Sequence, residues 1–294
     1  MDFGLALPNL GAGSSAEGIE AAAEVAERLG YTTVWTTDHL VTDHAAAPVY
    51  GRIFEAILTL AHLAGRTAKV KLGVSVIVVP QRQAVLLAKE LATLDVLSRG
   101  RVIAGVGIGW NRTEMANMGM ADRFTVRGAY LDETIAVWRH LWSGSTEPFE
   151  GRFNELTDYV FDPLPAQPGG PPIIVGGSSE PAFRRAGTVG DGYHFSAASP
   201  ATVAPRLPVV RAAAEAAGRP MPPVSGRARV RFDSKAAEGD TYAMAGTPEE
   251  IAAEVRAFEA LGVSHLVLVL NETDSARYVS IAERFQREVV PLLG

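Results

Sequence analysis

The amino-acid sequence predicts an α/β protein, a (β/α)8 TIM barrel with an insertion after strand four. Three observations carry this. Short apolar runs alternate with helical stretches along the chain, the pattern of right-handed βαβ units and a parallel sheet. Eight such units fall within 294 residues, and a closed barrel accommodates eight better than an open sheet does. One gap is too long for a simple connection: about 60 residues separate the fourth strand from the fifth.

Residues 3–7 read as the first strand and 15–29 as an amphipathic helix. Ser14 or Ser15 can cap that helix and Gly30 stops it. The second strand is 33–36, followed by a loop from Asp38 to about Gly51 and a helix over 53–66. Strand 70–78 ends at Pro80, helix 84–97 follows, and Ser98-Arg99-Gly100 turns the chain into strand 101–108. The insertion holds a long helix near 127–142 and a short hairpin around Glu150-Gly151-Arg152, and a Pro/Gly-rich connector runs from Pro163 to Pro172. Strands 172–176, 192–196, 228–232 and 265–270 then alternate with helices 180–188, 200–217, 248–261 and 274–290. The chain thus reads as one domain over 1–294, with the insertion at about 112–170. In a barrel that insertion overlies the C-terminal mouth, where loops build active sites.

Composition narrows the function. With 47% hydrophobic and 20% charged residues, a large core is available and wholesale disorder is excluded. The absence of cysteine excludes disulfides, thiol catalysis, cysteine-based zinc sites and iron–sulfur clusters. A net charge of −6 argues against a dedicated nucleic-acid binder. The longest apolar runs are strand-length, far short of the ~20 residues of a membrane span. The N-terminus has no basic segment before its short apolar run, so a cytoplasmic location is the expectation.

Several segments could carry chemistry. Thr37-Asp38-His39 closes strand two, at the end of a barrel strand where functional groups gather. His39 there can orient a ligand carbonyl or move a proton. The bland alternative is an Asp–His pair that holds the next loop. Asp43-His44 repeats the dipeptide, but no His pair stands at helical i, i+4 spacing, and no metal is expected. Gly105-Val106-Gly107-Ile108-Gly109-Trp110-Asn111 fails the dinucleotide fingerprint, because Trp110 occupies the third glycine's place. Those glycines either let a flat ligand approach the backbone or simply turn the strand. Gly176-Gly177-Ser178-Ser179 precedes a helix, which suits an anion at the free N–H groups or plain N-capping. Arg227, Arg229 and Arg231 alternate with apolar residues and so share one strand face, turned into the barrel. Internal ion pairs are the bland expectation for them, and Arg231, nearest the strand end, is the best placed for a ligand anion. Trp35, Trp138 and Trp142 read as core, and Trp110 as a pocket residue.

Taken together these segments resemble the luciferase-like monooxygenase superfamily, and within it the coenzyme F420-dependent oxidoreductases. The matching strings are Phe3-Gly4-Leu5-Ala6-Leu7-Pro8, Val34-Trp35-Thr36-Thr37-Asp38-His39-Leu40 and Leu72-Gly73-Val74-Ser75-Val76-Ile77-Val78-Val79-Pro80. Leu97-Ser98-Arg99-Gly100-Arg101, the 105–111 segment, Pro171-Pro172-Ile173-Ile174-Val175-Gly176-Gly177 and Gly190-Asp191-Gly192-Tyr193 extend the likeness over essentially the whole chain. The resemblance implies an oxidoreductase with a deazaflavin or flavin at the barrel mouth. Asp38 and His39 would lie beside the ring, and Ser75-Val76 would form a bulge behind it, often with a non-prolyl cis peptide. Gly107, Ile108, Gly109 and Asn111 would meet the ring edge or ribityl chain, and Gly176, Gly177 and Ser178 the phosphate region.

The expected activity is hydride transfer between F420 and an organic, apolar or aromatic substrate. His39 is the expected catalytic residue, and Tyr50, Phe54 and Trp110 the substrate pocket. One departure stands out: Trp110 takes the place where some F420 dehydrogenases of this superfamily carry a catalytic Glu. Two alternatives keep the barrel: an FMN-dependent monooxygenase served by a separate reductase, and a non-catalytic ligand binder. The resemblance also implies a homodimer paired through outer helices.

Overall fold

The computed structural model describes residues 1–234 and 242–294. The chain runs β1 (Asp2–Ala6), α1 (Ala16–Leu29), β2 (Thr33–Thr36), α2 (Ala47–Tyr50), α3 (Ala56–Ala64), β3 (Lys71–Val74), β4 (Ile77–Val78), α4 (Ala84–Ser98) and β5 (Val102–Gly107). The insertion follows as α5 (Arg112–Asn117), α6 (Arg123–Trp142) and the small hairpin β6 (Phe149–Glu150) and β7 (Glu155–Leu156). The second half is β8 (Ile173–Gly176), α7 (Glu180–Thr188), β9 (Gly192–Ser196), α8 (Pro200–Val203), α9 (Leu207–Ala216), β10 (Val224–Phe232), β11 (Ala243–Gly246), α10 (Pro248–Ala260), β12 (Val263–Val269) and α11 (Ser275–Arg284).

The sheet closes on itself. Its order runs β12-β1-β2-β3-β5-β8-β9, and β10 pairs in parallel with both β9 and β12. This is the eight-stranded parallel barrel the alternation predicts. The helices that pack outside it do so through apolar faces, as in α1, where Ile19, Ala22, Ala23, Val25 and Ala26 are buried. Ser15 Oγ accepts from the Gly18 N–H to cap α1, and Gly30 closes the helix at φ 77°. The three tryptophans expected in the core are buried there, with Trp138 fully excluded from solvent. Among the described residues no helix is long and apolar enough to cross a membrane.

The elements differ from expectation where backbone bonds compete with propensity. The expected helix over 53–66 starts late, because Ile53 bridges to Leu10 and the Phe54 N–H donates to Asn9 O. The third strand breaks into β3 and β4 around Ser75–Val76, yet both pieces pair with β5. The seventh strand begins at Val224, earlier than its arginines suggested, and β11 adds an unforeseen parallel partner along Arg229–Phe232. Pro205 and Pro208 divide the expected helix 200–217 into α8 and α9. The last helix, expected over 274–290, ends as α11 at Arg284 and gives way to a π turn over Phe285–Val289.

Candidate active site

The C-terminal ends of the strands meet at one mouth. There His39, just beyond β2, is 6% exposed. Its Nδ1 lies 2.7 Å from Glu114 Oε2, and Glu114 Oε1 accepts the Leu40 N–H at 2.6 Å. Glu114 sits in α5, whose start is fixed by Asn111: the Asn111 Oδ1 accepts the Glu114 N–H at 3.0 Å. Burial alone would raise the Glu114 pKa, but the hydrogen bonds from His39 and Leu40 outweigh it and hold the carboxyl below its usual range. A carboxylate on Nδ1 leaves Nε2 as the working ring nitrogen, and Nε2 makes no hydrogen bond among the described residues. The imidazole also packs at a tilt against Tyr50, with centroids 4.2 Å apart, and meets the Trp110 ring edge-on at 5.7 Å. Trp110 is 57% exposed, so it forms an outer wall of this patch.

Asp38, next to His39, is turned the other way. Its carboxylate accepts the Val78 N–H at 2.9 Å and an Arg82 N–H at 2.7 Å. Arg82 also donates to Glu55 at 2.7 Å. Burial would lower the Arg82 pKa, but the two carboxylates outweigh it and push it upward. Asp38 thereby ties β2 to the returning piece of strand three, and both of its oxygens are engaged in doing so.

Between β3 and β4 the Ser75–Val76 peptide is cis. The Val76 side chain points between two strand ends. A Cβ at Gly107 would lie 2.5 Å from Val76 Cγ2, and one at Gly176 would lie 2.5 Å from Val76 Cγ1. The two glycines therefore make room for valine, a purpose neither the ligand reading nor the turn reading anticipated. Ser75 Oγ lies 2.9 Å from His194 Nε2, and His194 Nδ1 lies 2.8 Å from Ser225 Oγ. Burial, reinforced by the charges of Arg227 and His265, pushes the His194 pKa down to about 3. His194 is therefore neutral, accepting one hydroxyl hydrogen bond and donating the other. Gly109, at φ 69°, packs in the same manner against Val78, while Ile108 rests on the core.

At the end of β8, Gly177, Ser178 and Ser179 are exposed. Ser179 is the N-cap of α7 but makes no side-chain capping bond. The first turn's acid, Glu180, is engaged by Arg184. Pro181 has no N–H and the Ala182 N–H donates to Ser179 O at 2.9 Å, so an anion here would meet the N–H groups of the exposed turn ahead of the helix and of Glu180.

The opposite side of the mouth is open. A cavity of about 570 Å³ lies among the ends of β1, β2, β9, β10 and β12, with Leu7, Leu10, Val49, Tyr50 and Leu270 in its walls. Tyr50 joins it to the His39 patch. Phe54 is not in this wall: its ring packs on the core, with the Arg52 guanidinium 5.9 Å above it. Arg227 and Arg229 line the cavity and Arg231 does not, contrary to the ranking drawn from strand position. Arg231 lies where β11 joins the sheet, opposite Ala245. Among the described residues Arg227 has no ion pair; its Nη1 donates instead to Thr37 Oγ1 and Ser75 O.

Sequence reasoning missed Glu114, Arg82 and His194. Asn111-Arg112-Thr113-Glu114 has the spacing of a capped helix start, with an acid at the third position. That signal locates α5, but a capping acid is expected to turn back to its own N-cap and not across to His39. Asp43, half of the second Asp-His dipeptide, accepts the Ala46 N–H and shapes a turn.

Comparison with known proteins agrees with the barrel fold. A 28% identical relative, covering 91% of this chain and 90% of its own, is an F420-dependent glucose-6-phosphate dehydrogenase of Kineococcus radiotolerans. An F420-dependent secondary alcohol dehydrogenase, solved with an F420–acetone adduct, superposes with a TM-score of 0.84 at 20% identity, over 100% of this chain and 99% of that one. The oxygenating component of 3,6-diketocamphane monooxygenase from Pseudomonas putida, solved with FMN, superposes with a TM-score of 0.82 at 17% identity, over 99% and 98%. The family model of the luciferase-like monooxygenases matches residues 1–243, and the chain belongs to that family.

Proposed function

We propose that the protein is an F420-dependent oxidoreductase that exchanges a hydride with a small organic substrate beside His39. The single observation that carries the reading is the buried His39–Glu114 pair opening onto an aromatic wall at the barrel mouth. A full-length relative with F420-dependent dehydrogenase activity supports the cofactor.

The residues present fit F420. The exposed turn Gly177 to Ser179, leading into α7, suits the phosphate of such a cofactor. Val76, wedged between Gly107 and Gly176, offers a firm apolar surface for a flat ring, with Ile108, Gly109 and Asn111 along its edge. When bound, F420 supplies the hydride chemistry at its deazaflavin carbon. The chain's own residues do the rest. Glu114 fixes the His39 tautomer through Nδ1. His39 takes the proton of a substrate hydroxyl at Nε2, or returns it in the reverse direction. Tyr50 and Trp110 hold an apolar or aromatic substrate against the imidazole and exclude water from it. Asp38 and Ser75 act from behind, holding the bulge in place. A homodimer and a cytoplasmic location complete the proposal.

Paired fluorescence titration of the protein with F420 and with FMN tests the cofactor. Micromolar F420 binding with much weaker FMN binding is the expected result. A preference for FMN would move the protein to the flavin monooxygenases, and binding of neither would overturn the reading.

A further inference from the structure

The cavity beside the cofactor cradle carries charge that the chemistry at His39 does not use. Arg227 and Arg229 are two residues apart on one face of β10, and both line the cavity. Arg227 is held by neutral acceptors alone, Thr37 Oγ1 at 2.9 Å and Ser75 O at 3.1 Å, and its buried Nε has no partner. Arg229 makes no hydrogen bond or ion pair among the described residues. The acid in the cavity wall is Glu272, whose Oε1 already accepts the Thr273 and Asp274 N–H groups at 2.8 and 2.9 Å. Two guanidinium groups thus face one cavity with no carboxylate within 4.0 Å of either, among the described residues. Burial, with the charge of Arg229 adding to it, pushes the Arg227 pKa down to about 10, as expected for a cation that lacks its counter-charge.

The two half-buried guanidinium groups leave a site that an anion would complete. The guanidinium fork matches a carboxylate in bidentate geometry. The walls mix apolar Leu7, Leu10, Val49 and Leu270, which suit hydrocarbon, with neutral polar groups such as Ser196 and Asn271, and a volume of about 570 Å³ holds a small organic acid. We propose that Arg229, backed by Arg227, binds the carboxylate of an otherwise apolar substrate and so selects organic acids for the reaction at His39. Tyr50, shared by the cavity wall and the packing around His39, links the anchor to the reacting end. The inference rests on the oxidoreductase reading only in assigning the carboxylate to the substrate.

Fluorine NMR on the full chain tests it, with 4-fluorophenylacetate as the probe and 4-fluorophenylacetamide as its neutral counterpart, each with and without F420. The wild-type protein should bind the acid at least about tenfold more tightly than the amide. Arg229→Met should weaken acid binding about tenfold and leave amide binding within about twofold, and Arg229→Lys should recover part of the loss. The F420 dissociation constant should stay within about twofold in both variants, since Arg229 lies outside the proposed cradle. Equal binding of acid and amide, or acid binding that survives Arg229→Met, overturns the proposal. So does a large loss of F420 affinity in Arg229→Met, which would assign the arginine to the cofactor's own anionic groups. Arg229-dependent acid binding by a protein that binds no F420 would uphold the anion site and remove the cofactor reading alone.

Discussion

On one side of the barrel mouth, Val76 fills the space left by Gly107 and Gly176, and His194 sits neutral between Ser75 and Ser225. On the other side, Arg227 and Arg229 face an open cavity without a carboxylate partner among the described residues. The first side is packed backbone-close and carries little free charge. The second holds charge in reserve and space beside it. A flat cofactor that must be held in one pose is served by the first arrangement, because packed groups have little freedom to move. A substrate that enters and leaves is served by the second, because its own charge completes the site. His39 and Tyr50 stand at the seam and belong to both.

The largest effect is expected at that seam. His39→Ala should lower turnover by about 10²- to 10⁴-fold while F420 affinity changes little, because the residue's role is in proton movement. Steady-state kinetics at saturating cofactor measure this, and unchanged turnover would remove His39 from the mechanism.

The packed side can be broken by one methyl group. Gly176→Ala places a Cβ about 2.5 Å from Val76 Cγ1 and should cost about 1–3 kcal/mol in urea unfolding. Adding Val76→Ala should recover much of that loss, so the double variant falls short of the sum of the single ones. On the open side, Arg229→Met should move stability by less than about 0.5 kcal/mol in the same assay. Equal losses on the two sides would erase the contrast.

A smaller effect sharpens the comparison through pH. The folded protein keeps His194 neutral, with its pKa pushed down to about 3 from 6.5. A depressed folded value means the unfolded chain binds the proton first. The stability tied to His194 is therefore complete above pH 6.5 and is lost as pH falls from 6.5 toward 3. The slope in that window is at most about 1.4 kcal/mol per pH unit from this residue. His265, pushed down to about 4, acts in the same direction. His194→Gln should give a shallower stability profile across the window, and an unchanged slope would show that the ring is not buried neutral.

Much of the frame was legible in the chain because apolar periodicity is a local property. The runs at 70–78 and 265–270 could hardly be anything but buried strands, and glycine or proline marked most element ends. What escaped did so for local reasons too. Ala243-Met244-Ala245-Gly246 lacks the β-branched residues that announce a strand, and it became β11 only by pairing with β10. Glu114 looked like a surface helix residue, yet it is 1% exposed and 75 positions from the histidine it holds. Arg231 seemed the best anion ligand from its place near the strand end, but Arg227 and Arg229 are the ones that line the cavity.

The sequence by itself determined the barrel, its insertion after the fourth strand, and the strand ends where chemistry collects. Those follow from alternation, length and breakers, which each stretch carries within itself. Only the tertiary structure decided which groups share a site. His39 meets Glu114, Gly107 and Gly176 meet Val76, and Arg227 and Arg229 meet a cavity. The physical reason is that hydrogen bonding, close packing and charge compensation act across space, and barrel closure brings together residues that local pattern leaves unrelated.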